Sequence, residues 1–242
     1  MAEYVVVDKE QLEADLATVA DSIREKGGTS EPLAFPNGMA DAARALGVDY
    51  SRYARTVTFE TDDLPPVMKL DLDHVVSLNS LMLGGGNIQE ITINCKKPIE
   101  SMQRLFFNST TRFKYLKKII FNVDTSQCTH FTNAFSYLMS VDENDIGNVE
   151  IIGELDFTSA TSVASIFSGS IGLKDVRFKR NTLKLPMTLA QCSKLSSTSI
   201  QSIIDGLATV ETSRTLTFHS DVKAKLTEAQ ISQITSKNWT LA

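Results

Sequence analysis

Three kinds of side chain in this sequence could do chemistry: three histidines, three cysteines and a few clustered carboxylates. His74, His130 and His219 form no HxH or HxxxH pair, so none has an identifiable partner as metal ligand or general base. His130 is expected to be a solvated side chain. Cys95, Cys128 and Cys192 are odd in number, scattered and without a CxxC, which fits neither a disulfide framework nor a zinc site. Each adjoins apolar positions, so all three are expected as buried thiols. Asp71, Asp73 and His74 lie close enough together to suggest a cation, but a turn-capping role accounts for Asp71 without one. The DEND stretch at 142–145 lacks the spaced ligands and the glycine of a calcium loop. The glycines at 84–86 are not followed by GK[ST], and no GxSxG is present. A wall-glycan hydrolase would need paired carboxylates in one pocket. Asp142, Glu143 and Asp145 are the only dense candidates, and a loop holds them poorly. The expectation is no enzyme, no metal and no cofactor.

Function then rests on a surface, and the elements that build it come from an internal repeat. DTSQCTHFTNAF at 124–135 and DFTSATSVASIF at 156–167 are twelve-residue segments that open on Asp and close on Phe. Numbered from Asp124, the apolar positions 5, 8, 11 and 12 are Cys128, Phe131, Ala134 and Phe135. The copy from Asp156 places Ala160, Val163, Ile166 and Phe167 there. The copy from Cys95 places Ile99, Met102, Leu105 and Phe106, and the copy from Asp71 places Val75, Leu78, Leu81 and Met82. The +3, +3, +1 spacing predicts one apolar side of a helical or 3₁₀ turn, with Asp at position 1 as its cap. The copies start 24, 29 and 32 residues apart. Short alternating strand patterns follow them: IQEITI (88–93), LKKIIF (116–121) and LKDVRF (173–178), with NVEIIG (148–153) and SRTLTF (213–218) as weaker forms. One strand and one irregular or short helical segment per repeat predicts an α/β leucine-rich-repeat solenoid with short parallel strands.

The twelve-residue copies followed by an LxxIxF strand resemble the leucine-rich repeats of BspA-like surface proteins over about residues 67–218. Residues 8–26 predict an amphipathic helix through Leu12, Leu16, Val19, Ala20 and Ile23, capped by Asp8 with Gln11 and ended by Gly27-Gly28. A second short helix is expected over about 38–46. The stretch DLATVADSIREKGGTSEPLAFPNGMADAARAL resembles a segment near the N-terminus of tail-associated proteins of phages and prophages of Gram-positive bacteria. The chain therefore divides, in expectation, into a helical N-terminal cap or attachment module (1–50) and the solenoid (51–242), with a C-terminal cap from about 195. In that cap LSSTSIQSIIDGLATV predicts a helix with Ile200, Ile203, Ile204 and Leu207 inward. Thr227 with Gln230 opens another helix, and Trp239 anchors the last turn.

Net charge is −5, which argues against a nucleic-acid partner, and no apolar run is long enough for membrane insertion. MAEYVVVDKEQLEAD lacks the basic start and apolar core of a secretory signal, which leaves a phage particle, or the cytoplasm before release. Lys and Arg crowd 96–118, vanish over 119–173 and return at Lys174, Arg177, Lys179, Arg180 and Lys184, giving bands of alternating sign. Strand alternation turns Glu90, Thr92, Lys118, Ile120, Asp175 and Arg177 outward, extended by Glu150, Ile152, Thr215 and Thr217. That row is the expected contact face. The resemblance implies non-enzymatic recognition of a protein or cell-surface glycan by a tail-associated or surface-exposed protein. The alternative is a structural spacer in a phage tail or prophage particle, assembled or homo-oligomerised through residues 1–50.

Overall fold

The structure, a computed structural model, describes residues 65–242 except 73–74, 83–86, 107–112, 114, 140, 143–144 and 147, with the side chains of 141–142 and 145–146 also left out. The helices expected over 8–26 and 38–46, and residues 1–50 as an attachment module, lie outside the described residues. Five short strands make one parallel sheet: β1 (Val67–Asp71), β2 (Glu90–Asn94), β3 (Lys118–Asn122), β6 (Val149–Leu155) and β7 (Leu173–Phe178), hydrogen-bonded in that order. A small antiparallel pair, β4 (Val141–Asp142) and β5 (Asp145–Ile146), precedes β6.

The inner face of this sheet is built from in-register apolar pairs. Met68, Ile91, Ile119 and Ile151 form one row, and Leu70, Ile93 and Phe121 the next; all are buried. They meet the apolar positions of the twelve-residue copies. Every one of those positions is buried except Ala160, which packs half-buried against the same core. Position 12 becomes an aromatic stack: Phe106 on Phe135 and Phe135 on Phe167 at 5.9 Å each, then Phe167 on Phe178 at 6.2 Å. Offset ring pairs at such spacing stabilise beyond their buried area.

The copies are not helical. The N–H of position 8 donates to the carbonyl of position 7 in the next copy: Leu78 to Ser101 (2.8 Å), Met102 to His130 (3.0 Å), Phe131 to Ser162 (2.8 Å). Position 10 donates to position 9 of the next: Ser80 to Gln103 and Arg104 to Thr132 at 2.9 Å, Asn133 to Ala164 at 3.0 Å. Position 12 donates to position 11 of the next: Met82 to Leu105, Phe106 to Ala134 and Phe135 to Ile166, all at 2.9 Å. Inside each copy the N–H of position 11 closes a turn on the carbonyl of position 8. A helix would keep these donors within one copy. Aiming alternate peptide units at the neighbour instead requires a left-handed residue at position 10. Ser80, Arg104, Asn133 and Ser165 occupy it with φ between 53 and 55°. Only Asn133 is a type that tolerates this region well. The +3, +3, +1 pattern fits the turn as well as a helix, so the spacing alone does not separate them.

Asp124 and Asp156 do cap as expected, accepting the N–H two residues on at 2.9 and 2.8 Å. The residue two on from Asp71 lies outside the described residues; the Asp71 carboxylate accepts from Lys69 Nζ (2.8 Å) and Asn94 Nδ2 (2.6 Å), and Asn122 Nδ2 continues that ladder to Asn94 Oδ1 at 2.8 Å.

NVEIIG belongs to the longest strand of the sheet. β6 loses register between Glu150 and Glu154, where Gly153 has φ +138° and passes so close to β3 that a Cβ would lie 2.2 Å from the Phe121 carbonyl oxygen.

The exposed edge of β7 is closed by a helix. α1 (Ser197–Gly206) is capped by Ser196, and it buries Ile200, Ile203 and Ile204, with Leu207 buried just beyond. Ser199 Oγ accepts from the Val176 N–H at 3.2 Å and donates to its carbonyl at 3.1 Å, and Ser202 Oγ accepts from the Phe178 N–H at 3.0 Å. Serine hydroxyls thus stand where a sixth strand would.

Beyond α1 lies a second parallel sheet that the sequence patterns do not show: β8 (Met187–Leu189), β9 (Arg214–Phe218) and β10 (Trp239–Leu241), ordered β10-β9-β8. SRTLTF is a strand, β9, but it belongs to this sheet and not to the row of the first. Two short helices, α2 (Ser220–Lys223) and α3 (Glu228–Ser236), separate β9 from β10; α3 carries the Thr227–Gln230 capping box. Trp239 is buried and donates from Nε1 to the Ala208 carbonyl at 2.8 Å. Lys237 Nζ satisfies the free end of α1, reaching the carbonyls of Ile204 and Asp205 at 3.1 Å and Leu207 at 2.6 Å. The described residues form an α/β fold with parallel strands in two sheets and few helices.

Two substitutions separate required backbone strain from tolerated strain. Gly153→Ala meets both a positive φ and the Phe121 carbonyl, and should cost about 2 kcal/mol or more. Ser165→Gly removes left-handed strain while adding unfolded-state freedom, and should stay within about 0.5 kcal/mol of the parent. Urea unfolding of the two variants beside the parent checks both.

Candidate functional site

The outer face of the five-stranded sheet is the surface that the strands present together. Register places Glu90, Lys118, Glu150 and Asp175 in one row across β2, β3, β6 and β7. Thr92, Ile120 and Ile152 form the row beside it. Thr92 and Ile120 are half-buried, whereas Ile152 is 45% exposed, the most exposed large apolar side chain on β2, β3, β6 or β7.

The charged row is stitched across the strands. Lys118 Nζ lies 3.2 Å from Glu90 Oε2, and Lys174 Nζ lies 3.4 Å from Glu150 Oε1 and 3.9 Å from Asp175 Oδ2. Ser196 Oγ also donates to Asp175 Oδ1. The sign bands seen along the chain therefore become alternating neighbours on this face, with little net charge. Each such exposed pair contributes at most about 1 kcal/mol.

Arg177 is exposed but sits opposite Glu154, because the bulge at Gly153 shifts it out of the isoleucine row. Thr215 and Thr217 do point outward from β9, yet they stand in the second sheet and do not extend this row. Sequence alternation misses Lys174: β7 begins with a register shift, so Lys174 and Asp175 both escape burial. A pair of adjacent polar residues in an otherwise alternating strand was the available signal.

The groups with chemical potential are placed otherwise. His130 is exposed, with Nδ1 at 2.9 Å from Thr129 Oγ1. His219 is the cap of α2, its Nδ1 accepting from the Asp221 N–H at 3.2 Å. Cys128 and Cys192 are buried and burial pushes each thiol up to about 12. Cys95, expected as buried, is only half-buried.

Among the described residues, Asp71, Asp156 and Asp205 have carboxyls held below the ordinary carboxylate range. At Asp71 the hydrogen bond from Lys69 leads, followed by that from Asn94. Burial acts to raise Asp156, but the hydrogen bonds of Thr158 and Lys179 outweigh it. Burial likewise opposes the lowering of Asp205, where Gln233, Gln201 and Arg180 prevail. A general acid needs the opposite shift. Among the described residues no three His, Cys, Asp or Glu side chains gather as a metal site would require. Asp73, His74, Glu143 and the 84–86 glycines lie outside the described residues, as do the side chains of Asp142 and Asp145. Among the described residues no helix is long and apolar enough to cross a membrane. Comparison of the chain with family models, curated proteins and solved structures finds no match.

Asp156 gives a pH prediction. Its folded pKa lies below the unfolded value, so its contribution is complete above about pH 4 and is lost as pH falls through the folded value. Asp156→Asn should cost about 1–2 kcal/mol at pH 7, and the gap from the parent should close below about pH 4 in denaturant titrations. Thiol labelling of the native protein should modify Cys95 alone at a measurable rate, with Cys128 and Cys192 reacting only after unfolding.

Proposed function

We propose that this chain is a leucine-rich-repeat solenoid of the BspA-like kind, acting by non-covalent recognition as a tail-associated or surface-exposed protein. The solenoid part is supported by the neighbour-to-neighbour hydrogen bonds at positions 8, 10 and 12 and by sheet order following chain order. The non-enzymatic part is supported by the direction of the side-chain shifts: buried thiols pushed up and carboxyls held ionised by Lys, Arg, Thr and amide partners.

The observation that carries recognition is the exposed Ile152, flanked by Ile120 and bordered by a charged row whose members already pair with each other. A face solvated for its own sake has no need of an isoleucine at its centre. Such a centre with a polar border is the anatomy of a protein-contact patch.

Binding of labelled full-length protein to whole Gram-positive cells and purified walls tests this, with Ile152→Glu and a Lys118→Glu/Arg177→Glu reversal run alongside. Ile152→Glu should lower the apparent affinity at least about tenfold, a loss in the range seen for a central contact residue. If the parent binds neither preparation, or if both variants bind as well as it does, the recognition role fails and the spacer role replaces it.

A further inference from the structure

A backbone outlier adjoins the side chain on which the contact reading rests. Among the described residues with positive φ, all but one lie between 53 and 71°, and Gly153 stands apart at 138°. Any other residue there would combine a disfavoured φ with a Cβ against the Phe121 carbonyl oxygen. Ile152 immediately precedes it.

The bulge is fixed from both sides. Towards β3, β6 keeps step: Ile152 stands opposite Ile120, and Asp156 and Asp124 follow them at the same interval. There the Asp156 N–H donates to Thr125 Oγ1 at 2.7 Å, and that hydroxyl donates to the Asp156 carbonyl at 3.1 Å. Towards β7, residues 151–153 face Val176 alone. β7 cannot slide to make up the difference, because Ser199 holds both the N–H and the carbonyl of Val176, and Ser202 holds the Phe178 N–H. The mismatch is taken up at Gly153. Its result is that no β7 residue stands opposite Ile152: Asp175 pairs with Glu150 before it, and Arg177 with Glu154 after it. Ile120, flanked by Thr92 and Ile152, is half-buried; Ile152, flanked on one side only, is exposed.

Bulges are rare in parallel ladders, and beside functional sites they re-aim a side chain. Backbone strain of this kind persists only where the surroundings over-determine it, and it gathers at such sites. Resting on the reading of this face as a contact surface, we propose that Gly153 is a positioning residue for recognition. The bulge that it permits holds Ile152 clear of β7, and Gly153 acts on the partner only through that side chain.

A double-mutant cycle on the full chain tests this: the parent, Gly153→Ala, Ile152→Ala and the double variant, each measured for binding to purified Gram-positive walls and for urea unfolding. Gly153→Ala should remain folded at 25 °C and bind at least about fivefold more weakly than the parent. In the Ile152→Ala background the same change should alter binding by less than about twofold, since no side chain is left to position. A glycine that served only the fold would not show this coupling. Equal losses in both backgrounds overturn the proposal, as does parent-like binding by Gly153→Ala. A Gly153→Ala protein that is unfolded at 25 °C assigns the glycine to the fold and overturns it as well. If Ile152→Ala weakens binding while Gly153→Ala does not, the positioning role falls and the recognition role stands. If the parent does not bind, or binds without dependence on Ile152, the recognition role falls and the positioning role with it.

Discussion

The fold depends on where alternate backbone N–H groups of the twelve-residue copies are sent. A turn that used them internally would be self-sufficient and indifferent to its neighbours. Here positions 8, 10 and 12 give theirs to the following copy, so each copy is complete only when another lies beside it. The strand on the other side makes the same demand through its ladder. Between these two sets of bonds the apolar positions have no choice but to stack, like on like, and the column of Phe106, Phe135 and Phe167 is the outcome. The left-handed residue at position 10 is the local cost, about 1–2 kcal/mol for each non-glycine. The hydrogen bonds that it permits exceed that cost only because the neighbour is there to accept them.

Much of this was legible in the sequence, for a physical reason. Burial is what the +3, +3, +1 pattern reports, and the pattern named Ile99, Met102, Leu105, Phe106 and their equivalents correctly as core, save the half-buried Ala160. It could not report backbone direction, because the residues at position 10 are Ser, Arg, Asn and Ser, and no shared glycine marks the left-handed turn. The strands with three successive β-branched or aromatic residues, such as β2 and β3, announced themselves. β8 and β10, at three residues each, are too short to carry a period; each is held by pairing with β9, and β10 also by Trp239 on the Ala208 carbonyl. The candidate face was legible in β2 and β3 and blurred in β7, where the bulge opposite Gly153 moved Arg177 out of line. Thr215 and Thr217 illustrate a different limit. Alternation places a side chain on a face of its own strand, but which sheet that strand joins is settled by partners far along the chain.

The two ends of the five-stranded sheet are not equivalent. On the β7 side, Ser199 and Ser202 of α1 occupy the groups that another strand would have used, and Ser196 adds its own N–H to the Lys174 carbonyl. Two serine hydroxyls about one helical turn apart take the N–H groups of Val176 and Phe178, so an edge that would invite further pairing is shut. The second sheet then begins afresh, with no continuity of register from the first.

Because every cross-copy bond at positions 8, 10 and 12 runs from donor to acceptor in the same sense, the stack has a head and a tail. At these positions a following copy must bring acceptors and a preceding one donors, while the position-6 N–H groups of Glu100, Thr129 and Thr161 run the other way, to the carbonyls of the copy before. Elongation by duplication of whole units preserves this sense automatically, whereas an inverted or partial unit would set like against like. The intervals between copies can drift, as 24, 29 and 32 residues show, since the connecting loops take no part in the polarity. The donor end also needs a terminator, and one is visible at Gly169, whose N–H, in the place of a further cross-copy donor, is taken by the Gln191 side chain at 2.6 Å. A single amide oxygen thus does for the Gly169 N–H what the Ser168 carbonyl of the following copy does for the equivalent N–H of Tyr137.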